Sequence, residues 1–341
     1  YILRVTGLID EFCNETSATD ITLNYNDEIL KTPNIKINQE GYLPEAPKIG
    51  YVGGYVGDLG GGAWAAGRGG SIYRWSLGHG WERVDSPTNK DLRSIAGFRE
   101  DNVWFVGNNG EIIKWNGTQF VKLDSQTTED LHSIAFGPQG TGWVVGKNGL
   151  ILQQNGDFWQ KTASEVRENL NSIWVGNNNS AWAVGDNGVI LKWNGSKWLK
   201  EQHITSSNLN CVAGKPDSDE LWAVGNNGTV ITRIHGKWKE FPIITSSGEN
   251  LTCVVVDPSG AVWIGSDRGV MRYKAVPSQD FEKLENLCDR ILYGMTRQNG
   301  RRLWAVGARG LLISYAPESE NWLLERDLGP EDLLTVFSIP Y

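Results

Sequence analysis

Trp182-Ala183-Val184-Gly185-Asp186-Asn187-Gly188-Val189-Ile190-Leu191 is the clearest instance of a phrase, W-x-V-G-x-N-G, whose variants recur seven times in the 341 residues. The copies begin at Trp64, Trp104, Trp143, Trp182, Trp222, Trp263 and Trp304, so successive starts lie 39 to 41 residues apart. A fixed period of this size is the mark of a repeat architecture. In every copy a glycine stands six places after the tryptophan, as Gly70, Gly110, Gly149, Gly188, Gly228, Gly269 and Gly310. A two-residue hairpin needs positive φ there. Beyond the turn come a β-branched strand such as Val189 to Trp193, then Asn194-Gly195, then a strand opening on an aromatic. That aromatic is Trp81, Phe120, Trp159, Trp198, Trp238, Phe281 or Trp322. A fourth strand reads Leu-x-Ser-Ile, as in Leu92-Arg93-Ser94-Ile95 and Leu170-Asn171-Ser172-Ile173. Four short strands in about 40 residues make one propeller blade. The expected fold is therefore all-β, a seven-bladed β-propeller over residues 61–341.

Such blades hide their faces only by stacking on one another, which assigns the tryptophans to packing. Leu333-Leu334-Thr335-Val336 repeats the fourth-strand pattern with no further copy after it, whereas the first copy lacks a good fourth strand upstream. Strand 333–339 is expected to complete the first blade. The rival stretch, Ile49 to Val56, is rich in glycine and reads as linker, leaving residues 1–60 as a short N-terminal β segment.

The balance of 32 basic against 40 acidic residues, net charge −8, excludes a surface that holds nucleic acid by neutralising phosphates. No run approaches the 18 or more apolar residues of a membrane span, and the opening at Tyr1 reads as a mature or trimmed segment. Cys13, Cys211, Cys253 and Cys288 form no C-x-x-C, so neither a zinc nor a redox motif is supported. Cys211 and Cys253 occupy equivalent places in neighbouring repeats and read as small buried thiols.

The phrases from Trp182 to Leu191 and from Trp222 to Gly228 resemble repeats of the photosystem II stability/assembly factor family and its bacterial relatives, over about residues 63–341. They also resemble degenerate Asp-box (BNR-type) repeats of sialidase-like propellers, eroded to forms such as Trp193-Asn194-Gly195-Ser196-Lys197-Trp198. Residues 35–48, from Ile35 through Gly41-Tyr42-Leu43-Pro44 to Lys48, resemble the opening of the immunoglobulin-like module that precedes the barrel of family 9 cellulases. That resemblance implies a polysaccharide-associated setting and a partial sandwich within residues 1–60, but no cellulase activity, since the catalytic barrel is absent.

The position before the turn glycine is Asn109, Asn148, Asn187 and Asn227 in the second to fifth repeats, as a type I′ turn prefers. It changes to Arg268 and Arg309 in the sixth and seventh, and the first repeat carries Arg68 one place earlier. Once a ring closes, these three repeats are consecutive. The arginines then form a cationic patch for carboxylates or an acidic peptide, unless they are merely solvated or paired with Asp267. The assembly-factor resemblance likewise implies an arginine cluster. Asp186 and Asp267 occupy turn positions from which they approach a channel ligand, or else are solvated turn residues. No catalytic set, phosphate loop or metal cluster is visible, and no cofactor is expected. His79, His132, His203 and His235 fall at dissimilar repeat positions and read as surface or loop residues. Sequons stand at Asn14, Asn116, Asn178, Asn194, Asn227 and Asn250; Asn116 and Asn194 also serve Asn-Gly turns.

Together these readings point to a non-enzymatic, secreted or surface-exposed scaffold. It binds a protein partner, acidic or otherwise, through its turn-bearing face, and self-assembles if residues 1–60 present strand edges. The alternative is a glycan-recognising module of an extracellular polysaccharide system, and a third reading is a hydrolase with its residues on the same face.

Overall fold

A computed structural model describes residues 2–4, 20–22, 36–37, 52–53 and 62–339, apart from 77–78, 139, 157, 177–179, 216–217, 244–247, 258–259, 274–280, 285–289, 299–301 and 317–320. The chain divides into two compact units, one of residues 1–60 with 76–80, the other of 61–75 with 81–341. In the smaller unit Ile2–Arg4 pairs with Asp20–Thr22 and Lys36–Ile37 with Val52–Gly53, both antiparallel. Apart from Lys36 and Ile37, the stretch likened to an immunoglobulin-like module lies outside the described residues.

In the larger unit, the second to seventh repeats each fold as a four-stranded antiparallel sheet of consecutive strands. The fourth repeat is typical, with strands Leu170–Val175, Ala181–Gly185, Ile190–Trp193 and Trp198–Lys200. Six blades are thus complete within their own stretch of chain. The first repeat is not: it supplies Ala63–Gly67, Ile72–Ser76 and Gly80–Val84, and its fourth strand is Leu333–Ser338, antiparallel to Ala63–Gly67. The Leu-x-Ser-Ile strands are innermost, each lying against its counterparts in the adjacent repeats. Leu333–Ser338 touches both Leu92–Arg99 and Leu292–Gln298, which closes the circuit.

The tryptophans explain why the sheets stack in this order. The first tryptophan of one repeat meets the third-strand aromatic of the next edge to face: Trp104 with Trp159, Trp143 with Trp198, Trp182 with Trp238 and Trp263 with Trp322. Across the composite sheet Trp304 meets Trp81 at 5.4 Å and 87°. Each such pair is worth about 0.5–1.5 kcal/mol beyond the area it buries. The serine of the innermost strand has a separate task, since Ser94, Ser133 and Ser172 Oγ accept from the backbone N–H of Ile134, Ile173 and Val212 in the following sheet.

Cys211 and Cys253 hold this serine place in the fifth and sixth repeats. Burial pushes the Cys253 thiol up to about 12 and raises Cys211 as well. At pH 8 the thiolate fraction of Cys253 is on the order of 10⁻⁴. Iodoacetamide followed by peptide mass spectrometry is expected to leave both cysteines unmodified in the native protein and to label both in guanidinium; native labelling at either would contradict this packing.

Candidate functional site

The turn after each W-x-V-G sets the geometry of one face. In the fourth repeat Val189 N–H donates to Asp186 O at 3.2 Å across Asn187 (φ 54°) and Gly188 (φ 67°), which is a type I′ turn. Two further donors of that turn leave it. Asp186 N–H reaches Asn169 O in the strand's own connection, and Asn187 N–H reaches Asn208 Oδ1 in the connection to the next repeat, both at 2.9 Å. An Asp or Asn directly before the innermost leucine therefore accepts twice, once on its carbonyl and once on its side chain. Asp91, Asp130, Asn169, Asn208, Asn250 and Asp332 all play this part.

The belt breaks once among the described residues. The sixth repeat has Ser266 where the others have glycine. There Ser266 pairs directly with Gly269, and Arg268 N–H turns back to Ser266 Oγ at 3.0 Å. The following connection offers Ile291 where an Asx would accept. Arg268 thus stands in a tighter turn and lacks the positive φ that Arg309 adopts at 56°, so the two do not hold equivalent positions.

Of the three arginines read from the sequence, one puts its guanidinium on the Asp332 carboxylate: Arg68 Nε lies 3.1 Å from Asp332 Oδ2, while Arg309 reaches Asp332 Oδ1 only through its backbone N–H, at 3.0 Å. Arg268 faces Asp267 of its own turn at 3.9 Å. Arg290, which the sequence reading passed over, bonds Arg309 O and Asp327. The Tyr293 phenol adjoins Arg68 and Asp332; burial and the Asp332 carboxylate hold it above its ordinary value, so it is a neutral hydroxyl at physiological pH. Asp186 and Asp267 play matching parts, each gripped by the amide of the preceding Asx: Asn169 Nδ2 on Asp186 at 2.9 Å and Asn250 Nδ2 on Asp267 at 3.1 Å.

The residues that the sequence reading missed are the variable ones in Leu-x-Ser-Ile. Every innermost strand slips register between its leucine and the residue two places on. Such a bulge leaves the intervening side chain unpaired and re-aims it. Here it aims Leu334, Arg93, His132, Asn171, Asn210, Thr252 and Tyr293, in repeat order, at one cavity of about 470 Å³ that also meets Asn226, Asn250 and Asp267 of the turns and connections. His132, expected on the surface or in a loop, is a channel residue. The available signal was a variable position bracketed by constant ones on each innermost strand. Around this wall His132 Nδ1, Asn171 Nδ2, Asn210 Nδ2 and Thr252 Oγ1 donate to the leucine carbonyls of the following strands, at Leu170, Leu209, Leu251 and Leu292. A carbonyl only accepts, so Nδ1 of His132 carries the proton and Nε2 is the acceptor. Burial, aided by Arg93, lowers the pKa of His132 and keeps the ring neutral near pH 7.

Among the described residues no three His, Cys, Asp or Glu side chains are grouped to hold a metal ion, and no helix is long and apolar enough to cross a membrane. Asn116 and Asn194 cap exposed hairpin turns, their Oδ1 atoms accepting from the residues two and three places on; Asn14 and Asn178 lie outside the described residues.

No known family model matches the chain, and no curated protein does. Solved structures do. YCF48 bound to a D1 peptide matches with a TM-score of 0.60 and 17% identity over 74% of this chain and 87% of that one. YCF48 from Cyanidioschyzon merolae gives 0.59 and 16% over 74% and 90%. Virginiamycin B lyase from Staphylococcus aureus gives 0.61 and 17% over 73% and 92%. Likeness at this identity speaks for architecture alone, and the chain is an all-β propeller.

Proposed function

We propose that the protein is a non-enzymatic docking propeller, secreted or surface-exposed, that holds a partner protein on the face where the turns meet the channel mouth. The composite sheet counts as one blade of a seven-bladed ring. The observation that carries the reading is convergence: seven bulged side chains and residues of the turn belt meet around one cavity, whose Tyr293 adjoins the ion pair of Arg68 with Asp332, and the turn of Arg309 is anchored on the same Asp332 by its backbone N–H. Neither of those arginines is buried, so both remain within reach of acidic groups on a partner. Arg268 supplies a third cation and Arg93 a fourth at the cavity itself. The YCF48 structure determined with a D1 peptide gives a precedent for a peptide on this architecture.

Wild-type protein and the Arg68→Ala/Arg268→Ala/Arg309→Ala variant, used as paired baits in extract of the native source, test this. The variant is expected to recover the specific partner at least about tenfold less, a loss near 1.4 kcal/mol. Its melting temperature should hold, because exposed ion pairs contribute about 0–1 kcal/mol each. Equal recovery on both baits discards the arginine face. Saturable binding of a defined glycan would favour the carbohydrate reading, and turnover of a glycoside the hydrolase.

A further inference from the structure

The arc of the channel mouth formed by the third to fifth repeats is a wall of acceptors. Both Nδ2 protons of Asn171 are used, on Asp186 Oδ1 at 2.9 Å and Leu209 O at 3.0 Å. Both of Asn210 are used, on Asn226 Oδ1 and Leu251 O at 2.8 Å each. The one ring proton of neutral His132 is used on Leu170 O. What these side chains still offer the cavity is Asn171 Oδ1, Asn210 Oδ1 and His132 Nε2, three acceptors on three successive strands.

Charge decides what they accept. Asp186 has no cation within ion-pair distance among the described residues, and both its oxygens are held by amides, from Asn169 and Asn171. The Asn171 amide therefore stands between an uncompensated carboxylate and the cavity. Hydrogen bonds in series polarise one another, so the negative charge behind Asn171 strengthens its carbonyl oxygen toward a donor. A primary ammonium has three donors and no acceptor, which suits three acceptors backed by a carboxylate. A hydroxyl, with a single donor and no net charge, gains less from that charge. Arg93 opposes the site from the neighbouring strand, with its Nε engaged by Asn108 Oδ1.

We propose that the channel mouth binds a primary ammonium group, seated on Asn171 Oδ1 with Asn210 Oδ1 and His132 Nε2 beside it. The docking reading supplies the natural source, a lysine side chain of the partner, but the site is tested without any partner. Nα-acetyl-lysine amide titrated into isotope-labelled protein should shift the Asn171 and Asn210 side-chain amides saturably; its Nε-acetylated form should not. Asp186→Asn, which keeps the shape and removes the charge, should weaken binding about tenfold, and Arg93→Gln should tighten it about threefold. Absence of saturable shifts, equal binding of the acetylated probe, or affinity unchanged in Asp186→Asn overturns the proposal. Should Asp186→Asn fail to fold, an unchanged affinity in Arg93→Gln overturns it as well. Loss of the arginine-dependent partner alone would leave the amine titration intact, so the two readings fail separately.

Discussion

Gly185→Ala is expected to destabilise the protein by about 3 kcal/mol or more, although the backbone there is ordinary extended chain with φ −164°. The obstacle is space. A Cβ at Gly185 would stand 2.0 Å from Asn169 O, 2.9 Å from Asn169 C and 3.0 Å from Leu170 Cα, all of them backbone atoms. No side chain can swing aside, so the connection must lift from the strand. Lifting it stretches the Asp186 N–H bond to Asn169 O and disturbs the pairing of Leu170 with Gly185. Asn148 of the preceding turn also relies on Asn169, so the damage crosses to the neighbouring sheet. Overpacking costs about 1–3 kcal/mol and a stranded buried donor a further 1–3. In a unit of this size a loss of about 3 kcal/mol lowers the melting temperature by roughly 5 °C. Calorimetry checks this, and a fall of less than about 2 °C would show that the close approach is not needed. The sixth repeat supplies the natural control: it admits Ser266 at this place, and there the turn is shorter and the serine hydroxyl is occupied by Glu249 and Gly269 O.

That exception shows where sequence reasoning stops. Periodicity made the sheets, the turn glycines and the aromatic pairs legible, because each sheet needs the same residues at the same places to stack on the next. It made the composite sheet legible too, as a strand pattern without its repeat. The channel residues were hidden for the complementary reason. Facing a ligand cavity and not a neighbouring sheet, they are released from the constraint that makes repeats alike, and self-comparison discards what varies. Arg93, His132, Asn171 and Tyr293 share a position and no chemistry. Arg268 was misplaced for a related reason. Counting back from Gly269 aligns it with Arg309, but Ser266 pairs with Gly269 and shortens the turn, a change in register that spacing from the tryptophan does not reveal.

Two kinds of interaction thus share the ring. Edge-to-face aromatics and the serine bonds tie sheet to sheet along the flank, while the Asx belt ties turn to connection on the channel face. A belt of this kind holds its acceptor wall rigid before any ligand arrives, which lowers the ordering cost of binding. Beside it, the Leu170 carbonyl of the next strand fixes the His132 tautomer.

Native-state hydrogen exchange is expected to find the composite sheet opening about 3 kcal/mol more readily than the others, roughly a hundredfold faster for amides shared by Ala63–Gly67 and Leu333–Ser338. The reason is connectivity. Ser338 pairs with Ala63 across 275 residues of chain, whereas their counterparts Val175 and Ala181 are 6 residues apart. When the fourth repeat opens, a short connection keeps the partners together; when the composite sheet opens, only a long loop does. Loop-closure entropy grows as (3/2)RT ln n, which over this ratio of lengths is about 3 kcal/mol. Packing resists the opening, because Leu333 and Val336 are buried with Tyr73, Trp81 and Trp304. Leu333→Ala/Val336→Ala should therefore speed exchange in the composite sheet selectively and expose the edge of Ala63–Gly67 to intermolecular pairing. The matched pair Leu170→Ala/Ile173→Ala should lower global stability and leave the order of opening unchanged. Equal protection of the two sheets in the wild-type protein would mean that closure of the ring is held by something other than the pairing of these distant strands.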